Sequence, residues 1–258
     1  MLTASSMSLG LTISLWAVVA VAAIVLLSAV LQAALGFGFA LIAVPLLMLV
    51  LPPKTAVICV FLLASVASVL TLRAARAEVK VAEARRLSIG AVAAMPLGVV
   101  LLLSAPSLVL RLMLGLVTIA AALWMLFGHE APLEGHQPSA ALGYVTGAIS
   151  GVLNTSLSTN GPPLVVYLRH RGLGPEAFRS TISVVFTVSN LVGLIMLGVG
   201  GAIHRDAVVL ALVSGPFNIV GWALGNALAK RLAPHHFDRV VDVALLLSGV
   251  VVLLRAFV

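Results

Sequence analysis

Leu35-Gly36-Phe37-Gly38-Phe39-Ala40 stands inside a run from Leu9 to Pro52 that holds no charged residue. As a single helix that run would reach about 65 Å at 1.5 Å per residue, whereas the hydrocarbon core of a bilayer is about 30 Å thick. The run must fold back or break. Two glycines one residue apart weaken helix continuity. The break is therefore expected at Gly36-Phe37-Gly38, giving a helix, a turn and a shorter return arm that ends at Pro52-Pro53.

Working outward, 62% of the 258 residues are apolar and 9% are charged, far from the roughly 45–50% and 25% of soluble domains. That excludes a water-soluble globule and predicts an all-α polytopic membrane protein. At about 20 residues per span the apolar residues supply roughly eight crossings. Six read as plain spans: Thr55–Leu72, Leu87–Leu103, Val109–Phe127, Ala177–Val199, Ala207–Leu228 and Phe237–Val258. A second irregular segment lies between Ala140 and His170. There an apolar arm reaches Leu153, the polar string Asn154-Thr155-Ser156-Leu157-Ser158-Thr159-Asn160-Gly161-Pro162-Pro163 intervenes, and a short arm follows.

Sliding the second half over the first relates the two irregular segments. An offset of 122 places Asn154 on Gln32, Leu157 on Leu35, Leu164 on Ile42, Pro175 on Pro53 and Asn190 on Ser68. Small changes of offset continue the match to Pro216 on Pro96 and Arg239 on Arg111. One membrane domain over 1–258 follows, with a first repeat at 9–127, a linker at 128–138 and a second repeat at 139–258. Each repeat is a broken or hairpin segment followed by three spans.

The net charge of +7 reports orientation and contact with anionic headgroups, and nucleic acid is set aside. If each irregular segment folds back, one face collects Arg73, Arg76, Lys80, Arg85, Arg86, Arg169, Arg171, Arg179, Lys230, Arg231 and Arg239. The other holds only Lys54, Arg111, Arg205 and Arg255, whereas single crossings would divide the cations almost evenly. The positive-inside rule selects the folded-back arrangement. Its two repeats are inverted and its amino terminus is external. The apolar stretch from Leu9 has no basic residue before it, so it is not read as a cleavable signal. Cys59 reads as a small core residue.

Non-helical backbone at membrane depth survives only inside protein or around a water-filled cavity, so both breaks are expected to face inward. Inverted repeats with interrupted helices are the plan of secondary transporters, which bind substrate where helix ends meet. Arms starting near Phe39 and Pro163 would aim amide N–H groups and positive dipole ends inward, favouring an anion. The candidate shell is Gly36, Phe37, Gly38 and Phe39 from the first break and Asn154, Thr155, Ser156, Ser158, Thr159, Asn160, Gly161 and Pro162 from the second. Ser68, Asn190 and Asn218 complete it from neighbouring spans.

Several features have plainer readings. Gly36 and Gly38, like Gly221 and Gly225 at small-x-x-x-small spacing, suit close helix packing. Asn190 and Asn218 suit bonds between helices, and the polar string suits an external loop. The Arg73 to Arg86 run, with Glu78 and Glu83 interspersed, reads as a solvated loop against lipid headgroups. Asp242, Arg111 and Arg255 lie near helix ends, where charge is cheap to place. His204-Arg205-Asp206 reads as a short external loop, and His129, His136 and His170 fall in loops. No deep carboxylate or histidine pair offers a proton carrier. No metalloprotease, nucleophile-elbow or nucleotide-loop motif is present, so the chain is not read as an enzyme, and nothing implies a metal or cofactor.

Leu35-Gly36-Phe37-Gly38-Phe39-Ala40-Leu41-Ile42-Ala43-Val44-Pro45-Leu46-Leu47 resembles the first glycine-rich motif of the TauE/SafE sulfite exporter family. Gly151 to Ser156, continued by Gly161-Pro162-Pro163-Leu164-Val165-Val166-Tyr167-Leu168, resembles its second, and the likeness covers nearly the whole chain. The family's second motif carries more glycine, where this chain has Ser158-Thr159-Asn160. The resemblance implies a permease of the cell inner membrane for a small anion such as sulfite, an organosulfonate or a carboxylate. A second copy of the chain is an allowed partner. A non-transporting membrane subunit that anchors another protein is the alternative reading.

Overall fold

The computed structural model describes residues 15–35, 37–74, 79–127 and 139–229, and among these every regular element is helical. The order is α1 (Leu15–Leu35), α2 (Phe39–Leu47), α3 (Pro53–Ala74), α4 (Val81–Ser104), α5 (Ser107–Phe127), α6 (Ala140–Leu157), α7 (Gly161–His170), α8 (Pro175–Val199) and α9 (Arg205–Ala229). Six of them, all but α2, α6 and α7, are long and apolar enough to cross a membrane. The expected span Phe237–Val258 lies outside the described residues.

Local sequence sets the boundaries. Pro53 and Pro175 open α3 and α8, where a missing N–H costs nothing. Ser139 caps α6, its hydroxyl accepting from the Leu142 amide at 3.2 Å. The charge-free run breaks where the glycines stand, between Leu35 and Phe39. At 1.5 Å per residue α2 and α7 are only about 14 Å and 15 Å long, so neither can cross a bilayer core of about 30 Å.

The helices pair in a reciprocal pattern. Against α1 lies α9, against α4 lies α6, and α3 sits beside both α8 and α9 while α8 also meets α4. Glycines set the two tightest seams. A Cβ on Gly147 or Gly151 of α6 would strike the Leu87 or Ala91 carbonyl of α4, and one on Gly221 would come within 2.5 Å of the Leu26 carbonyl of α1. Gly225 meets the Val30 carbonyl in the same way. Small residues let backbones approach so closely, and the packing reading of Gly221 and Gly225 is the one observed.

Along both seams residue numbers rise together, so α1 runs parallel to α9 and α4 to α6. Between α3 and α8 they run in opposite senses: Thr187 bonds the Ser68 carbonyl, whereas a Cβ on Gly193 would lie 2.7 Å from the Phe61 ring. The ends of α1 and α6 (Leu35, Leu157), the starts of α2 and α7 (Phe39, Gly161) and the starts of α3 and α8 (Pro53, Pro175) are each 122 residues apart. The same separation joins Asn190 to Ser68 by a hydrogen bond.

Candidate functional site

Both interruptions turn on a left-handed residue, supplied in different ways. In the first, Gly38 precedes α2 at φ 99° with no side-chain cap. In the second, Ser158 follows α6 at φ 58°, its amide donating to the Asn154 carbonyl at 2.8 Å. Ser150 braces this second turn, its hydroxyl donating to the Asn160 carbonyl at 2.9 Å. Gly36 lies outside the described residues.

The two turns and the middles of α3 and α8 line a small, partly open cavity of about 30 Å³, room for about two water molecules. Gly38, Phe39, Ser158, Thr159, Asn160, Gly161, Ser68 and Asn190 line it, as the sequence leads one to expect. Gln32, Ala64 and Phe186 also line it and were not anticipated, although the offset of 122 had paired Gln32 with Asn154. Asn190 donates from Nδ2 to the Ser68 hydroxyl and to the Ala64 carbonyl, both at 3.3 Å. The Ser68 hydroxyl in turn donates to the Ser65 carbonyl at 2.9 Å.

Other lining groups are uncommitted. Ser158 Oγ, Asn160 Nδ2 and Gln32 Oε1 are buried without a hydrogen-bond partner. Asn160 stands at the N-cap of α7 yet makes no side-chain cap bond. Buried polar groups are nearly always paired; Gln32 Oε1 can only accept, whereas Ser158 Oγ and Asn160 Nδ2 are free to donate to an acceptor in the cavity. Backbone amides add to them. The α2 start offers the unbonded N–H groups of a helix terminus, whereas α7 begins at Gly161 rather than at Pro163, and Pro162 and Pro163 carry no N–H.

Several anticipated residues do other work. Asn154 to Ser156 do not interrupt the helix, because their stretch of α6 continues to Leu157. Thr155 Oγ1 donates to the Met95 carbonyl at 2.8 Å and to the Gly151 carbonyl, and Ser156 Oγ donates to the Val152 carbonyl at 2.6 Å. Hydroxyls that bond back one turn let polar residues sit inside a helix. Asn154 Nδ2 is buried without a partner but does not line the cavity. Asn218 ties α9 to α3, donating to the Leu63 carbonyl at 2.9 Å. Phe37 and Pro162 border a neighbouring, larger cavity of about 300 Å³ lined by apolar side chains including Val117, Trp124, Val165 and Leu41, which also lines the smaller one. An anion there would lose its hydration without replacement, so the smaller polar cavity is the anion candidate.

Glu83 overturns the solvated-loop reading of its segment. It is buried in the first turn of α4, where its carboxylate accepts from Arg86 at 2.8 Å, from the Tyr167 hydroxyl at 2.7 Å and from Arg171. A buried carboxylate requires such partners. The Glu83 carboxylate also raises the Arg171 pKa above its ordinary value. Tyr167 and Arg171 lie more than 80 residues away, so no local spacing advertises the cluster. It fastens the end of α7 to the start of α4. Arg205 and Asp206 likewise belong to α9 rather than to a loop, and His204 meets Thr55 Oγ1 at 3.1 Å.

A family model described as Sulfite exporter TauE/SafE matches residues 21–252. The chain belongs to that family. Within it the chain is 32% identical over 100 residues to a protein of Comamonas testosteroni called "Probable inner membrane transporter protein TsaS", covering 38% of this chain and 42% of that one. It is 25% identical over 153 residues to the "Probable sulfite/organosulfonate exporter TauE" of Cupriavidus necator, covering 59% of each. The matches thus span about half the length of these curated relatives. No solved structure matches.

Proposed function

We propose that this TauE/SafE family member is an inner-membrane transporter that exports a small anion of the sulfite or organosulfonate type, bound between the two helix breaks. The observation that carries the site is the coincidence of uncommitted buried donors, Ser158 Oγ and Asn160 Nδ2, with two helix starts in one cavity. Membership of the family and the names of the relatives carry the substrate class. The chemistry is binding and translocation, not catalysis. Loading must part the breaks, because two waters' worth of space is less than a sulfite ion needs.

In this reading the chain is one domain of two inverted repeats, 9–127 and 139–258, joined by 128–138. The matching helix boundaries 122 residues apart and the antiparallel α3 and α8 support it. Two units related by an axis in the membrane plane must run their third helices in opposite senses, whereas a parallel repeat would align them. The cation-rich face is then cytoplasmic and the amino terminus external, and an anion leaving a cell that is negative inside gains about 2.3 kcal/mol per charge per 100 mV.

The test is a thermal-shift and flux screen of the purified protein against sulfite, thiosulfate, sulfate, sulfonates and carboxylates. A ligand that binds only the folded state raises the melting temperature, so selective stabilisation by one anion, with saturable flux in proteoliposomes, is expected. Protein that inserts normally but neither binds nor carries any of them refutes the transport reading and leaves the anchoring subunit. Sidedness has its own readout: an impermeant thiol reagent added to whole cells is expected to miss a cysteine placed at position 80, and labelling from outside rejects the orientation.

A further inference from the structure

We propose that Arg179 captures the anion at the mouth of the cavity and hands it to the breaks, so that loading occurs from the face on which α8 begins. This rests on the reading of the polar cavity as the anion site. Arg179, Ser183, Phe186 and Asn190 recur at helical spacing and share one face of α8. Phe186 and Asn190 line the cavity. Ser183 is buried below them, its hydroxyl donating to the Arg179 carbonyl at 2.6 Å. The half-buried Arg179 side chain reaches across to α1, where Nη2 donates to the Ala33 carbonyl at 2.9 Å. Ala33 adjoins Gln32, which lines the cavity. The guanidinium thus sits on the last turn of α1, bonded to the residue next in the chain to one that lines the cavity.

Charge makes this position useful. The donors inside the cavity are neutral, and an anion stripped of water needs compensation from a nearby cation. A guanidinium has five N–H groups, and among the described residues Arg179 spends one bond on Ala33. It can exchange that neutral carbonyl for an oxyanion, which binds it more strongly.

The opposite direction is built differently. The residues of α3 that lie 122 positions earlier are Val57, Phe61, Ala64 and Ser68. Val57 and Phe61 are fully buried in the apolar core, and Phe61 rests against Gly193 of α8. Because α3 and α8 are antiparallel, this sealed stripe leads away from the cavity in the direction opposite to Arg179. Towards Arg179 the stripe carries a cation and a buried hydroxyl, and towards Val57 it is hydrocarbon.

The experiment compares R179Q and R179K with the unmodified protein in proteoliposomes of known sidedness, using sulfite as the probe on each face in turn. For sulfite presented where α8 begins, R179Q is expected to raise the half-saturating concentration at least tenfold with the maximal rate within about twofold. It should also flatten the dependence on ionic strength, because capture by a fixed charge is screened by salt. From the other face the half-saturating concentration should not change. R179K keeps the charge and should keep the salt dependence. The proposal is overturned by unchanged half-saturation in R179Q, by equal weakening from both faces, or by loss of salt dependence in R179K. Should R179Q fail to insert, R179A takes its place with the same readout from both faces, and unchanged half-saturation from the face where α8 begins overturns the proposal. Unmodified protein that carries no sulfite removes the anion-site reading itself. Sulfite flux that N160L blocks and R179Q ignores removes only the role of Arg179.

Discussion

The two helix breaks are made by different chemistry and at different places in the turn, left-handed before α2 in the first and after α6 in the second. The first is built from glycine: Gly38 takes the left-handed conformation for which an L side chain is unsuited, and the α2 start keeps its backbone amides. The second is built from polar side chains: Ser158 takes the left-handed position, Ser150 braces the turn, and Pro162-Pro163 remove two amides from the α7 start. What the second break loses in backbone donors it regains as Ser158 and Asn160. An anion between them would meet backbone dipoles on one side and side-chain donors on the other, so mutation can reach only half of the site directly.

The largest expected effect comes from removing what makes the first break possible. At φ 99° a β-branched residue is a genuine outlier, and left-handed backbone costs about 1–2 kcal/mol even for ordinary L residues. Nothing lies within 4 Å of a Cβ on Gly38, so strain rather than collision decides. Gly38→Val should lower the melting temperature by several degrees and abolish flux. A fully active Gly38→Val would erase the distinction between the breaks.

Next comes Asn160→Leu. Loss of a hydrogen bond to a charged group is worth about 1.5–3 kcal/mol, so anion affinity should fall roughly 10- to 100-fold while folding is preserved. Calorimetric titration with the anion selected by the screen measures it, and unchanged affinity would place the site elsewhere. The smallest effect sharpens the comparison. Pro162→Ala restores an N–H to the second break, at a cost of about 0.4–1 kcal/mol in stability from the freer unfolded chain. A slightly lower melting temperature with about two- to fivefold tighter binding is expected. Weaker binding would mean that the α7 amides do not face the anion.

Much of this was legible in the residues because it follows from length and local chemistry. A charge-free run too long for one crossing had to break, and it broke at its glycines. Gly38, Ser158 and Asn160 declared themselves as turn formers and donors in apolar surroundings. Asn154 to Ser156 misled as break formers, because the Thr155 and Ser156 hydroxyls bond back along a helix that continues through all three residues. Gln32 was visible only through its repeat partner Asn154. Glu83 looks like a member of a basic surface loop in sequence, and Arg179 like one more cation at the start of a span. Their partners Tyr167, Arg171 and Ala33 are distant in the chain, and only packing reveals what they hold.

The glycine seam between α1 and α9 also bears on the order in which the chain is made. Leu35 ends α1 about 170 residues before Arg205 begins α9, and synthesis at about 5–20 residues per second opens a gap of roughly 10–30 s. Throughout that interval the face of α1 shaped to receive Gly221 and Gly225 has no mate, whereas α6 meets the already finished α4 as soon as it emerges. Among the described helices α1 is made long before its mate α9, and the nascent chain is exposed to mispairing and to membrane quality control along this seam until α9 arrives.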